Sequence, residues 1–251
     1  MYARLWIAFS LIFVNGTASA QSAREHITMG DRDYGALNAP GALAHYEQAI
    51  AVDADNYEAL WKASRSAMDI GSYASDAAKR SALFASAENY ARKAVALNHP
   101  DAEGHFALAR AVGKAALTQS PRGRVKYGAE VQKYALECLR RDSRHAGCMH
   151  VMGMWNAEVM RLNSFTRAIA RNFLGGRVFG SASWKEAVRY MDEAIAIEPD
   201  RIVHRVDAGE IYIDVGDRVK AKAAFEAALR LPSTDVNDKY YKEQARRRLG
   251  Q

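Results

Sequence analysis

The sequence predicts an all-α fold, built of helix-turn-helix units stacked side by side and closed by a C-terminal helix. Three observations predict it. The 251 residues are 49% hydrophobic, rich in alanine and hold only five prolines, with few strand-forming runs. Small and aromatic residues recur at helical spacing on neighbouring segments. Turn signals such as Asn98-His99-Pro100-Asp101, Glu198-Pro199-Asp200 and Gly216-Asp217 separate those segments.

The N-terminus reads as a leader. Tyr2 to Arg4 form a short basic start, Leu5 to Val14 an unbroken apolar run, and Asn15-Gly16-Thr17 interrupt it before Ala18-Ser19-Ala20. Small side chains at Ala18 and Ala20 suit cleavage before Gln21, so residues 1–20 are expected to be a removable signal peptide. A run that short falls well below the roughly twenty apolar residues of a membrane span. No cysteine stands near the junction to be acylated, which argues against a lipoprotein. The expected location is the periplasm or the cell exterior, with no transmembrane segment after signal removal. The formal charge of +6 falls by one when Arg4 leaves with the signal. So mild a basicity does not call for a nucleic-acid partner.

Residues 21–251 are expected to form one repeat domain of about five irregular units. The clearest is Val203 to Leu231, where Ala208-Gly209, Tyr212, Gly216, Ala221, Phe225 and Ala228 keep the spacing of two helices and a turn. Gly209, Ala221 and Ala228 let the helices approach, and Tyr212 and Phe225 fill the space between them. Upstream, Met152-Gly153, Trp155 and Asn156 open a unit whose second helix is Trp184 to Ile197. Ser183 followed by Glu186 is the signature of a capping box at its start. Ala102–Ala116 pairs with Val125–Arg141, and Tyr57–Ile70 with Arg80–Leu97. A first unit ends in Tyr46, Ala49, Ile50 and Asp53. A last helix over 236–249, with Tyr240, Tyr241, Ala245 and Leu249 on one side, covers the apolar end of the stack. Its Arg246-Arg247-Arg248 end suits the helix dipole.

The unit Val203 to Leu231, with Pro232 just beyond it, resembles the tetratricopeptide repeat. That resemblance implies a right-handed superhelix of tetratricopeptide-like helix-turn-helix repeats with a C-terminal capping helix. From Ala59 to Leu249 the chain also resembles the regulator of microtubule dynamics family. The likeness lies in Leu60-Trp61-Lys62-Ala63-Ser64-Arg65, in His99-Pro100 to Arg110, in His145 to Asn156, and in the Arg167-to-Gly176 insertion followed by Ser183-Trp184-Lys185-Glu186-Ala187. Leu231-Pro232-Ser233-Thr234-Asp235 before a final helix adds to it. Ala109 and Met154 depart from it, standing where the family often has glycine and arginine. The family includes the eukaryotic protein tyrosine phosphatase-interacting protein and exported bacterial homologues. It implies lipid binding in a concave groove, and in eukaryotes microtubule association.

In repeats of this type the first helix of each unit lines the concave face. The expected groove residues are Phe106 and Arg110, His150 and Met154, then Val203, Val206, Glu210 and Ile213. Such a groove is apolar with sparse polar groups. It suits a lipid or other hydrophobic small molecule, with Arg110 or His150 on a head group and Phe106 and Met154 over an aliphatic part. A peptide or protein partner is the alternative; the bland reading has these residues packing on neighbouring helices. Phe165, Ile169 and Phe173 recur at helical spacing, with Arg167 and Arg171 on another face. This segment reads as an inserted helix packing on the fourth repeat, as a lid, or as a patch making peripheral contact with anionic lipid.

Cys138 and Cys148 flank the Asp142-Ser143-Arg144 turn almost evenly. An antiparallel helix pair brings them face to face, as a disulfide or as two buried thiols. His145, Cys148 and His150 do not make a metal set, because His150 is out of phase with the other two and no acid completes a tetrahedron. No phosphate-cradling glycine loop, zinc-protease helix or nucleophile elbow occurs, so neither cofactor nor catalysis is expected, an envelope enzyme being the distant alternative. Asp192-Glu193 and Glu226 are assigned to solvated outer faces.

Overall fold

The computed structural model describes residues 10–116, 121–162 and 178–251, with side chains from residue 21 onward except at 121, 122 and 124. Among the described residues there are eleven α-helices and one 3₁₀ turn. In chain order they are α1 Ser10–Gly35, α2 Ala39–Val52, α3 Tyr57–Ser72, α4 Ala77–Ala96, α5 Glu103–Ala116, α6 Pro121–Arg141 and α7 Ala146–Arg161. The 3₁₀ turn Val178–Ser181 follows, then α8 Trp184–Ile197, α9 Ile202–Asp214, α10 Arg218–Arg230 and α11 Asp238–Leu249. Consecutive helices pack as antiparallel pairs, α1 with α2 through α9 with α10, and α11 lies over the last pair.

One device sets the close approach within the pairs. Gly30, Gly71, Gly153 and Gly209 stand in first helices opposite Tyr46, Phe84, Met191 and Phe225 of the second helices. A β-carbon at Gly30 or Gly209 would meet the facing ring at 2.5 Å. Gly113 faces the smaller Val131 at 3.6 Å, so the third pair fits more loosely. Each aromatic or methionine knob thus needs a first helix without a side chain at that spot. Tyr46, Met191 and Phe225 are at most 2% exposed.

The core is a row of seams between neighbours, as a stacked array requires. Ala23 and Ile27 of α1 pack with Ala42, Tyr46 and Ala59 in the first seam. Leu108, Val112, Met152, Trp155 and Phe179 form the middle seam. Met191, Ile202, Val206, Ile211, Phe225 and Ala245 form the last one, which α11 covers.

The helix ends have local causes. Asn38, Asn56, Asp76 and Asp217 accept N-terminal amides of α2, α3, α4 and α10. Ser183 Oγ accepts the Glu186 amide at 3.1 Å, which is one half of the expected capping box. The other half is replaced: the Ser183 amide donates to Asn156 Oδ1 at 3.1 Å, and Glu186 pairs with Arg189. Asn156, 2% exposed, also donates to the Met152 carbonyl at 2.8 Å. It therefore ties α7 to the start of α8.

The last helix begins at Asp238 and not at 236. The Asp238 carboxylate accepts the amides of Thr234 and Asp235 at 2.8 and 2.7 Å, so the Pro232 segment wraps round its first residue. The expected insertion residues Phe165, Arg167, Ile169, Arg171 and Phe173 lie outside the described residues. No helix among the described residues is long and apolar enough to cross a membrane.

Candidate functional site: the concave face

First helices and α11 line the inner face, and helical phase decides which side chains reach it. On α9, Ile202, Val206 and Gly209 face the neighbouring helices, so Asp207, Glu210 and Asp214 are the residues turned inward. Val206, expected in the groove, is fully buried in the last seam. Ile213, also expected there, is 40% exposed and stands outside the cavity lining. Phe106 likewise serves packing: its ring lies 4.7 Å from His145 and against the cluster of Ala102 and the two cysteines. In their place, α9 turns carboxylates inward.

A cavity of about 330 Å³ opens between α7, α9 and α11, lined by Met154, Arg161, Asp207, Glu210, Asp214, Gln244 and Arg248. Of the seven, only Met154 is apolar. Glu210 accepts from Arg248 Nε and Nη2 at 2.8 and 2.7 Å and from Gln244 at 2.8 Å. Arg161 grips Asp214 at 2.5 Å. Two expected groove residues, Met154 and Glu210, therefore meet at one site.

Arg110 and His150 occupy the adjoining wall, each already engaged. Arg110 Nη2 lies 3.1 Å from Asp69 Oδ1, and Asp69, 2% exposed by its side chain, accepts the Tyr34 hydroxyl at 2.8 Å. Burial pushes the Asp69 carboxyl up, while Arg110 pulls against that shift. His150 Nε2 lies 3.1 Å from Asp207, and its Nδ1 shares a 2.8 Å hydrogen bond with Nδ1 of His204. His204 Nε2 is 3.2 Å from Glu198, and burial, outweighing that contact, holds the imidazole down at about 4.

Residues that sequence reasoning missed complete this wall. Arg65 stacks at 3.7 Å over the Tyr34 ring and 5.2 Å from Trp61, and its Nε is buried without an acceptor. Lys114 stands one turn beyond Arg110. Tyr73, at the end of α3, stacks on Tyr240 at 3.8 Å and meets Tyr241 edge-on, closing the superhelix across its mouth. The i, i+4 rows Arg65-Asp69-Tyr73 and Arg110-Lys114 were the available signal.

Cys138 and Cys148 form a disulfide with Cα atoms 6.3 Å apart. It joins the end of α6 to the start of α7. Among the described residues, Cys138, His145 and Cys148 are the metal-type donors that converge, within 4.8 Å of one another. The sulfurs are bonded to each other, however, and His145 Nδ1 accepts the Cys148 amide at 3.1 Å. Of the acids assigned to outer faces, Asp192 accepts the Tyr212 hydroxyl and Glu193 pairs with Arg189 at 2.8 Å.

Helix pairs stacked into a superhelix, with a charged concave face and a capping helix, define a tetratricopeptide-type repeat protein. A thermophilic tetratricopeptide-repeat protein of Thermus thermophilus has this fold: TM-score 0.64 at 19% identity, covering 89% of this chain and 98% of that one. MamA (TM-score 0.46, 18% identity, 88% and 95% covered) and YrrB, described as a TPR protein with an unusual peptide-binding site (0.46, 13%, 95% and 98%), are more distant. No curated protein matches the sequence. Residues 26–251 match the family described as Regulator of microtubule dynamics protein 1-3, and the chain belongs to that family.

Proposed function

We propose that this protein is an exported, non-catalytic scaffold that holds a peptide or protein segment along its concave face. Stacked repeats characteristically bind through such surfaces. The single observation that carries the choice of partner is the lining of the cavity, six polar side chains to one methionine. A lipid acyl chain needs a continuous apolar trough, and a charged lining would strand it against desolvated ions. The inner wall supports the same reading, since Arg110, Glu210 and Arg161 are held by salt bridges, and His150 by its contact with Asp207, that a polar segment can exchange. Export rests on the leader and accords with the Cys138–Cys148 bond, because disulfides persist in oxidising compartments.

The test has two arms. Native mass spectrometry of the mature protein purified from an expressing periplasm, followed by organic extraction, is expected to show protein without lipid. Selection of a random twelve-residue peptide library, then calorimetry of enriched peptides, is expected to give binding that Met154→Arg abolishes by filling the cavity. Stoichiometric lipid, or peptide binding indifferent to Met154→Arg, would overturn the proposal.

A further inference from the structure

Four side chains form one unbroken row across the seam between α7 and α9. His150 Nε2 lies 3.1 Å from Asp207 Oδ2, His150 Nδ1 lies 2.8 Å from His204 Nδ1, and His204 Nε2 lies 3.2 Å from Glu198 Oε2. The ring centroids are 4.8 Å apart, so the imidazoles meet at their edges and not face to face. The row starts at the cavity, which Asp207 helps to line, and ends at Glu198, the residue that closes α8. His204 is 3% exposed, so its nitrogens depend on these partners and not on bulk water.

The row has three links, and each needs one proton. A carboxylate only accepts, so both Nε2 atoms must carry hydrogen. A neutral imidazole has a single N–H, and two neutral rings spend theirs on the two carboxylates. Both Nδ1 atoms would then face each other at 2.8 Å as bare lone pairs. One more proton between them turns that repulsion into a hydrogen bond. A fourth cannot enter, because two N–H groups would collide at that distance. The carboxylates do not supply the third proton: the hydrogen bond from His204 holds the Glu198 carboxyl below its usual range. His204, kept neutral by burial, passes its own hydrogen to Glu198, which leaves the imidazolium on His150.

Other charged groups surround the row without joining it. At the cavity end, Lys114 of α5, Tyr73 of α3 and Tyr241 of α11 feel Asp207, while Arg110 of α5 is engaged with Asp69 and Arg161 of α7 with Asp214. At the other end, Arg201 Nε lies 3.8 Å from Glu198 and acts against charge on His204. His145 also acts on Glu198, with Glu103 of α5 3.4 Å from its ring. Among the described residues, none of these groups donates to a ring nitrogen of the pair.

We propose that His150 and His204 are a proton switch in the concave face: near neutral pH the pair holds three N–H protons, and releasing the third unlinks α7 from α9 and leaves Asp207 without its imidazolium partner. The switch belongs to the cavity wall whatever occupies the groove. In the peptide-binding reading given above, it makes the charge offered to the segment depend on pH.

Linkage gives the sign. Below the ordinary histidine value of about 6.5 the unfolded chain binds two protons on these residues against one in the folded pair, so stability rises with pH. Above it the unfolded chain binds none and the folded pair still holds one, so stability falls as pH rises through the release. The pair's contribution therefore peaks near the unfolded value.

The test is a long-range ¹H–¹⁵N spectrum of the mature protein at pH 7, with the two residues assigned through His150→Gln and His204→Gln. Three ring N–H groups are expected, two on His150 and one at Nε2 of His204, with a ¹⁵N–¹⁵N coupling across the Nδ1 contact. Asp207→Asn and Glu198→Gln keep the shape of the row and remove one charge that holds the proton. Each should lose one ring N–H at pH 7 and the alkaline fall in the urea midpoint, an outcome that a purely structural role for either carboxylate does not produce. Two ring N–H groups in the wild-type protein, no coupling between the Nδ1 atoms, or three N–H groups persisting in both carboxylate variants overturns the switch and leaves the scaffold reading standing. If neither variant folds, the wild-type spectrum decides alone.

Discussion

Reducing the Cys138–Cys148 bond should destabilise the protein by about 2.8 kcal/mol. The cysteines are ten residues apart, so the bridge closes a loop of eleven, and the chain-entropy relation gives that figure at 25 °C. In a chain of this size each kcal/mol moves Tm by about 2–4 °C, so the expected fall is about 6–11 °C. Both sulfurs are fully buried and the reduced thiols can keep their packing, which makes the same polypeptide with and without reductant the cleanest comparison. The assay is guanidinium unfolding with and without a phosphine reductant, with thiol state checked by alkylation and intact mass. Because repeats interact mainly with their neighbours, lost hydrogen-exchange protection should concentrate in α6 and α7. A difference below about 1 kcal/mol, or unchanged protection of those two helices, would refute the view of the disulfide as a clamp between the third and fourth units.

Three further outcomes are expected. His204 is buried neutral with its pKa lowered from 6.5 to about 4, so the unfolded chain takes up the proton first as pH falls. Its contribution is fully present above pH 6.5 and lost toward pH 4, about 2 kcal/mol of it by pH 5; His204→Gln should flatten the urea-midpoint profile, and parallel profiles would count against the assignment. Asn156→Ala leaves the Ser183 amide without its acceptor and should cost about 1–3 kcal/mol in chemical denaturation, whereas a loss under about 0.5 kcal/mol would show, by the same scale, that the bond does not hold α8 in place. Gly209→Ala places a methyl 2.5 Å from the Phe225 ring, which is 2% exposed and cannot retreat; overpacking should cost about 1–3 kcal/mol, against the usual gain of Gly→Ala in a helix, and a raised Tm would contradict it.

The fold was legible where a glycine and an aromatic ring could both be read in one unit, as with Gly209 and Phe225. The same pairing operates at Gly30 with Tyr46 and Gly71 with Phe84. It was hard to see there because the knob changes from Phe to Tyr to Met to Val between units. The intervals from Gly30 to Gly71, to Gly113 and to Gly153 are nearly equal, while that from Gly153 to Gly209 is longer by the inserted segment. The disulfide was legible as one of two outcomes, because the turn between the cysteines was symmetrical about them. The groove was not. Choosing Val206 in place of Asp207 is an error of one residue, or about 100° of helix, and it exchanges a core valine for an inward carboxylate. Hydrophobic pattern locates the buried stripe of each helix, but two stripes are buried in a stacked repeat, one within its pair and one against the next. The concave row is the narrow polar strip left over, and its limits depend on crossing angles that no single sequence displays.

That strip also explains why the acidic and basic side chains of the face are paired between helices. Asp207, Glu210 and Asp214 come from α9 and meet His150 and Arg161 of α7 and Arg248 of α11, while Asp69 of α3 meets Arg110 of α5. The Tyr73–Tyr240 stack holds the end of α3, in the second helix pair, against α11, which covers the last pair. A segment lying in the groove meets side chains of both signs. An extended peptide can present both signs, alternating across its backbone, while a lipid offers charge only at its head. The polarity of the groove thus constrains its occupant more strongly than its volume does.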